Sequence, residues 1–168
     1  MSDSGTFEMA SQPPGYRYNF DSLDEYLETG EKLGQEGRLA EGADVLREAT
    51  NRYPESATAF YDLGVALFLE LREEHAHLEL WEDLAENENV AEECVYALES
   101  AIERDPKLTE AFTNLGTILA LRGRRDEAIA AWERSLALNP NQPDVLEELD
   151  LYRNKLSAPP EEDELAQP

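Results

Sequence analysis

Apolar and small residues recur at helical spacing in the segment 109–142. In its first half they occupy positions i, i+3, i+4 and i+7, which share one face of a helix: Phe112, Leu115, Gly116 and Leu119. The second half repeats this spacing with Ala128, Ala131, Trp132 and Ser135. Gly123 separates the halves, where a turn between helices needs a left-handed residue, and Asn139 before Pro140 ends the second helix. The pattern predicts a hairpin of two helices.

The same pattern occurs earlier in the chain. Pro106 lies 34 residues before Pro140, and Pro54 ends a still earlier unit. That first unit has equivalent residues at Tyr26, Gly30, Leu33, Gly37, Gly42, Leu46 and Ala49. A last segment matches a first helix only, with Leu146 and Leu149 as its apolar positions, and therefore predicts a capping helix with a polar outer side.

This arrangement resembles the tetratricopeptide repeat (TPR), a helical hairpin of 34 residues with Leu-Gly in its first helix, alanine in its second and a closing proline. The resemblance covers residues 23–156. It implies an all-α fold, a right-handed superhelical stack of TPR helical hairpins with a capping helix and one inserted helix in the second repeat. The implied elements are three repeats (23–56, 57–108 and 109–142), an insert at about 70–88, and the capping helix 143–156.

The two ends of the chain differ in composition from the repeats. Residues 1–22 are predicted to form a disordered or loosely packed N-terminal arm, because serine, glycine and proline dominate its start. Tyr16, Tyr18 and Phe20 alternate in this arm, and we expect them to contact the first repeat. Residues 157–168 are predicted to form an acidic disordered tail.

The second unit has 52 residues, 18 more than the period, and the excess lies at about 70–88. A first helix that ran straight to Glu86 would end roughly 25 Å beyond its usual end, at 1.5 Å per residue. The chain is therefore expected to turn at about 74–76 and to return as a separate helix, whose apolar face carries Leu80, Trp81 and Leu84. Asn89, with Glu92 three residues later, is predicted to cap the next helix.

Charge restricts the possible partners. The 168 residues include 38 acidic and 14 basic side chains, so the formal net charge is −24. An acidic surface repels phosphate groups and anionic lipid heads, which argues against nucleic acid and membrane partners. The acidic excess is typical either of a cytoplasm with molar salt, which screens self-repulsion, or of an ordinary acidic protein. Without a secretory signal or a long apolar run, the sequence predicts a cytoplasmic protein.

Catalytic motifs are not apparent in the sequence. His75 and Glu79 share a helix face, but His77 points nearly the opposite way, which leaves too few ligands for a zinc site. Cys94 is the single cysteine and occupies a small-residue position between helices, so we expect a buried, unreactive thiol. We therefore expect neither an enzyme nor a metal or cofactor site.

The resemblance also implies where a ligand would bind. In tetratricopeptide repeats the first helices line a concave groove that holds a peptide. The matching residues here are Leu27, Glu31, Tyr61, Val65, Phe68, Glu110, Thr113, Thr117, Glu147 and Leu151. Family members that bind acidic C-terminal tails have a Lys, Asn and Arg clamp for the carboxylate. The clamp positions here hold Leu27, Glu31, Asp62, Glu110 and Asn114, so a terminal carboxylate would be repelled.

The sequence therefore predicts a protein-protein interaction module. Its partner is expected to be a protein or peptide segment that is basic and has apolar anchors, bound on a patch of Tyr61, Val65 and Phe68. Such a module acts as an adaptor, an assembly factor or a chaperone. The alternative is a structural or self-associating subunit, a monomer or weak homo-oligomer whose groove is filled by its own arm or by a second copy.

Overall fold

The computed structural model describes residues 17–75 and 88–154 of the chain. Within them lie α1 (Leu23–Gln35), α2 (Leu39–Arg52), α3 (Ala57–His75), α4 (Glu88–Arg104), α5 (Thr109–Leu121), α6 (Arg125–Leu138) and α7 (Pro143–Asn154). Helices α1 and α2, α3 and α4, and α5 and α6 form hairpins, and α7 packs against α6. The predicted all-α stack of three hairpins and a capping helix is therefore confirmed. The expected inserted helix falls mainly on residues 76–87, outside the described ranges.

Glycine allows the tight turns of the first and third hairpins. Gly37 and Gly123 have φ angles of 75° and 70°, in the left-handed region that other residues adopt only at a cost. At the third turn, the Gly123 and Arg124 N–H groups donate to the carbonyl groups of Ala120 and Leu119. These bonds satisfy the last carbonyl groups of α5, as expected for a helix that ends with a left-handed glycine.

A second set of glycines brings the two helices of each hairpin into close contact. A Cβ atom on the glycine would lie 2.4 to 2.7 Å from a large side chain of the facing helix. The pairs are Gly30 with Leu46, Gly64 with Leu98, and Gly116 with Trp132. Cys94, which is fully buried beside this contact, donates its Sγ–H to the Gly64 carbonyl at 3.3 Å. Burial raises the pKa of this thiol to about 12, so the predicted buried cysteine is confirmed.

The segment that precedes α1 lies against the first hairpin. The buried carboxylate of Glu48 accepts the N–H groups of Arg17 and Tyr18 at 2.9 and 3.0 Å, and the hydroxyl of Tyr26 at 3.2 Å. Phe20 packs edge-to-face on the Tyr26 ring, with 4.8 Å between the ring centroids. The expected contact between the alternating aromatic residues and the first repeat is therefore present at Tyr18 and Phe20.

Helix ends in the second hairpin depart from the sequence-based expectation. Helix α3 has 19 residues whereas α1 and α5 have 13 each, so residues 70–75 of the insert continue α3. The prediction that Asn89 caps the next helix is wrong, because α4 begins at Glu88. Glu88 and Glu92 both form ion pairs with Arg122, the residue that follows α5, and these pairs join the start of α4 to the third hairpin. Acidic residues there also interact favourably with the helix dipole.

Helix α7 closes the stack through a narrow apolar edge. Val145 and Leu149 are buried, whereas Leu146 is 46% exposed, so the buried pair has i, i+4 spacing. Leu146 was predicted to be one of the two apolar positions of this helix, and that assignment is wrong. One side of α7 contacts α6, and only residues on that side are covered. Tyr152 completes the contact, with its ring edge-to-face against Trp132 at 5.1 Å.

Candidate functional site

The first helices of the hairpins form one continuous face of the stack, because α3 contacts both α1 and α5. We call this face the groove. Between α1 and α3 the groove opens into a cavity of about 440 Å³, named the α1–α3 cavity below. Its lining residues are Gly30, Glu31, Gly34, Gln35, Leu39, Gly42, Leu46, Tyr61, Asp62, Val65, Ala66 and Leu69.

The lining of the α1–α3 cavity combines apolar and acidic groups. Five of the lining residues have aliphatic side chains: Leu39, Leu46, Val65, Ala66 and Leu69. Two carboxylates, Glu31 of α1 and Asp62 of α3, lie on facing helices, and the lining contains no lysine or arginine. The cavity thus provides apolar contact area beside negative charge.

The charge of Asp62 is poorly compensated within the protein. Burial, and then the nearby negative charge of Glu31, raise the pKa of Asp62 to about 6 from a usual value near 4. In the described part of the chain, none of the ion pairs involves Asp62 or Glu31. Glu31 accepts a hydrogen bond from the amide of Gln35 at 3.0 Å. At neutral pH the folded protein therefore holds two carboxylates facing the cavity without a cation.

A substitution at Asp62 measures this electrostatic cost. Because the folded-state pKa is raised, the folded protein binds the proton more tightly, and stability falls as pH rises from about 4 to about 6. Asp62→Asn is therefore expected to raise the free energy of unfolding at pH 7, by about 1 kcal/mol after allowance for solvent screening. Urea denaturation of both proteins checks this value. Near pH 4 the two should be almost equal, and an equal gain at both pH values would contradict the explanation.

Tyr61 links the second and third hairpins across the groove. Burial, and then the charges of Glu110 and Asp62, raise the pKa of its phenol above the usual value, while a hydrogen bond with Asn114 of α5 opposes the rise. Glu110, at the start of α5, is exposed. The acidic character of the groove therefore extends from α1 to α5.

Other sequence-predicted site residues contribute to packing as well as to the groove. Leu27 packs against the buried clusters of both the first hairpin and the main core. Phe68 packs against the main core, and the guanidinium of Arg72 lies 5.9 Å from its ring centroid. Of the predicted apolar patch, Tyr61 and Val65 line the α1–α3 cavity, whereas Phe68 lies outside its lining.

The two predicted threonines are engaged in internal hydrogen bonds. The Thr113 hydroxyl lies 2.7 Å from the hydroxyl of Ser135 and donates to the Gln142 side chain at 3.1 Å. Thr117 donates its hydroxyl to the Thr113 carbonyl of the preceding turn. The Thr113 hydroxyl thus connects α5 with α6 and with the residue before α7, and both threonine hydroxyls already have partners within the stack.

The remaining predicted residues, Glu147 and Leu151, lie on α7 and line a separate, shallower cavity together with Asp150 and Asn154. Leu151 is 42% exposed. The structure thus brings Glu31, Tyr61 and Val65 together in one cavity and places the α7 pair apart from them.

Sequence reasoning missed several residues that line the α1–α3 cavity. Gly34, Leu39, Ala66 and Leu69 line it but were not assigned to the groove. A signal was present in the repeat alignment, because Phe68 occupies the position 34 residues after Gly34. A glycine where the next hairpin has a phenylalanine indicates an unfilled space.

Neither a metal-binding cluster nor a membrane-spanning helix occurs in the described part of the chain. Over residues 17–75 and 88–154, histidine, cysteine and acidic side chains form no group of three that could hold a metal ion. His77, weighed above as a ligand, lies outside these residues. Among the described helices, none has the length and apolar character needed to cross a bilayer.

Comparison with protein families matches two segments of this chain. Models described as tetratricopeptide repeat match residues 27–76 and residues 109–142. The first match includes the hairpin turn at Gly37 and the start of the second hairpin. The other coincides with the third hairpin. Comparison with curated proteins gives no match.

Solved structures with the same fold include repeat domains that bind peptides. The first TPR of Spaghetti (RPAP3), bound to the HSP90 peptide SRMEEVD, superposes with a TM-score of 0.66 at 18% identity, over 81% of this chain and 94% of that one. The crystal structure of MamA superposes with a TM-score of 0.67 at 20% identity, over 82% of this chain and 70% of the MamA chain. The second TPR domain of human RPAP3, in complex with the HSP70 peptide SGPTIEEVD, has a TM-score of 0.62 at 18% identity. This match covers 79% of this chain and 98% of that one. At these identities the similarity shows the shared fold.

Proposed function

The chain belongs to the tetratricopeptide repeat family, and from this premise we propose that its groove binds a basic segment of a partner protein that carries apolar anchors. Tetratricopeptide repeats are generally non-enzymatic interaction modules, and two of the structural neighbours hold peptides. The proposed role is that of an adaptor, assembly factor or chaperone. The observation that carries the proposal is the α1–α3 cavity, in which aliphatic side chains adjoin Glu31 and Asp62.

The charge of the groove favours a basic partner. Asp62 already has a raised pKa because it is buried near Glu31, and Glu110 adds negative charge at α5. A ligand carboxylate would increase this repulsion, whereas a lysine or arginine would decrease it. Electrostatic attraction of this kind also accelerates association at low ionic strength. The peptides SRMEEVD and SGPTIEEVD end in acidic residues, so we expect this groove to prefer a different class of peptide.

Calorimetry with two probe peptides tests the proposal. The first is a short acetylated and amidated peptide of lysine and leucine at helical spacing, and the second is SRMEEVD. We expect only the basic peptide to bind, with an affinity that falls roughly tenfold between about 50 and 300 mM NaCl as exposed charges are screened. Tighter binding of SRMEEVD, or binding of the basic peptide that is insensitive to salt, would contradict the proposed partner chemistry.

An aromatic substitution tests the apolar contribution. Phe68→Ala is expected to weaken binding of the lysine-leucine peptide by about tenfold, more than the loss of any single carboxylate of the groove, because apolar anchors dominate interface energy. Tyr96→Ala is the matched control, since Tyr96 is 62% exposed on α4. Calorimetry is performed below the unfolding temperature of each variant, measured by circular dichroism. Equal affinities of the two variants would argue against a role for Phe68.

A further inference from the structure

We propose that the α1–α3 cavity binds one long cationic side chain, a lysine or an arginine, of the partner segment. This inference rests on the proposed function, because it assigns a specific anchor to a segment bound in the groove. The stem of the side chain would lie on the aliphatic lining, and its charged end would lie between Glu31 and Asp62. The amphipathic character of the cavity matches that of lysine and arginine, which bury an apolar stem and keep a polar end.

The cavity exists because one position of the first hairpin lacks a side chain. A Cβ atom built on Gly34 would have only Leu39 within 4 Å, at 4.0 Å, so the space beside Gly34 is open. The equivalent residue of the second hairpin, Phe68, packs its ring against the core. The glycines deeper in the hairpin differ, because a Cβ on Gly30 would lie 2.7 Å from Leu46. Close packing explains Gly30 but not Gly34, whose absent side chain leaves room for a ligand.

Electrostatics specify the chemical class of the occupant. Glu31 and Asp62 approach the cavity from α1 and α3, and the raised pKa of Asp62 reports that its charge is unfavourable in the absence of a cation. The basic side chain of Arg72 lines an adjoining shallow cavity and lies over the Phe68 ring. An apolar occupant would bury these carboxylates further without pairing them, which is costly. A cationic side chain would pair with them and bury its stem.

Substitutions of the protein separate shape from charge. Gly34→Leu fills the cavity, whereas Ala40→Leu places a leucine side chain at an exposed position of α2. Asp62→Asn removes a charge from the cavity wall, whereas Glu103→Gln removes one from an exposed position of α4. Asp62→Asn is expected to stabilise the fold, so weaker binding by that variant cannot result from unfolding. It therefore keeps the test valid if Gly34→Leu folds poorly.

The probe is the lysine-leucine peptide and a set of variants in which each lysine in turn is replaced by norleucine, which keeps the stem without the charge. We expect Gly34→Leu to weaken binding about tenfold and Asp62→Asn about threefold, and both controls to leave it unchanged. One norleucine replacement should weaken binding to the original protein about tenfold and have no effect on the Gly34→Leu protein. That loss of coupling would identify the lysine that occupies the cavity.

Failure of the anchor differs from failure of the groove. If the peptide binds the original protein and the Gly34→Leu and Asp62→Asn variants bind it equally well, the anchor is refuted while the proposed function remains. If every norleucine replacement has the same effect on all variants, the peptide has no preferred lysine and the anchor is also refuted. If the basic peptide does not bind the original protein at all, the proposed function fails and the anchor fails with it.

Discussion

Replacement of Trp132 by alanine is expected to lower the free energy of unfolding by about 3 to 5 kcal/mol, the range found when a fully buried large side chain is removed from a core. The Trp132 side chain is 1% exposed and lies between Gly116 of α5 and Tyr152 of α7. Its removal therefore creates a cavity at the point where the third hairpin meets the capping helix. Urea denaturation followed by circular dichroism measures the change.

Two further variants show whether the position or merely the loss of an aromatic group matters. Tyr96→Ala removes a ring that is 62% exposed and should change the free energy of unfolding by less than about 0.5 kcal/mol. Trp132→Leu should cost less than Trp132→Ala, because Leu46 and Leu98 occupy the equivalent positions of the other hairpins. An unchanged stability of Trp132→Ala would contradict the assignment of this residue to the core between α5, α6 and α7.

Gly116→Ala is expected to destabilise the protein by about 1 to 3 kcal/mol, although alanine is the better helix former. A Cβ atom on Gly116 would lie 2.4 Å from the Trp132 ring, a distance that requires one helix to shift. The ring is rigid and buried, so a local adjustment cannot relieve the overlap. The energetic cost is that of overpacking a filled core.

Gly34→Ala provides the matched control for this substitution. Gly34 also lies in the first helix of a hairpin, but a Cβ atom there would meet only Leu39 at 4.0 Å. Without a clash, the higher helix propensity of alanine should stabilise the protein by up to about 1 kcal/mol. Denaturation of both variants thus compares the same chemical change in a filled and in an open site. Destabilisation of both to the same extent would contradict the packing described at Gly116.

The hairpins themselves were predictable because they depend on local chemistry. A left-handed turn requires glycine at Gly123, and helical spacing of apolar residues determines which face of each helix is buried. The burial of Trp132 and Cys94 followed from their positions in this spacing. Each of these features follows from the residue spacing within one hairpin, so the information lies within one repeat of the sequence.

Other features required the tertiary structure because they join residues that are distant in the chain. Glu88 and Glu92, near the start of α4, form ion pairs with Arg122, a contact that the capping pattern in the sequence did not indicate. Thr113 was assigned to the ligand surface, but its hydroxyl bonds to Ser135 and Gln142. The spacing of residues along a helix does not reveal such hydrogen-bond partners, because side chains at the same helical spacing can face either a ligand or another helix.

The sequence by itself determined the repeat, its turns and the acidic character of the groove, since spacing and charge are properties of the residues alone. Only the tertiary structure decided that the carboxylates of Glu31 and Asp62, on different hairpins, face one cavity. It likewise decided that the space beside Gly34 is open, whereas the Trp132 ring packs directly against Gly116. A glycine is the same residue in both places, and its effect depends on the distance to the facing side chain, which the packing of helices sets.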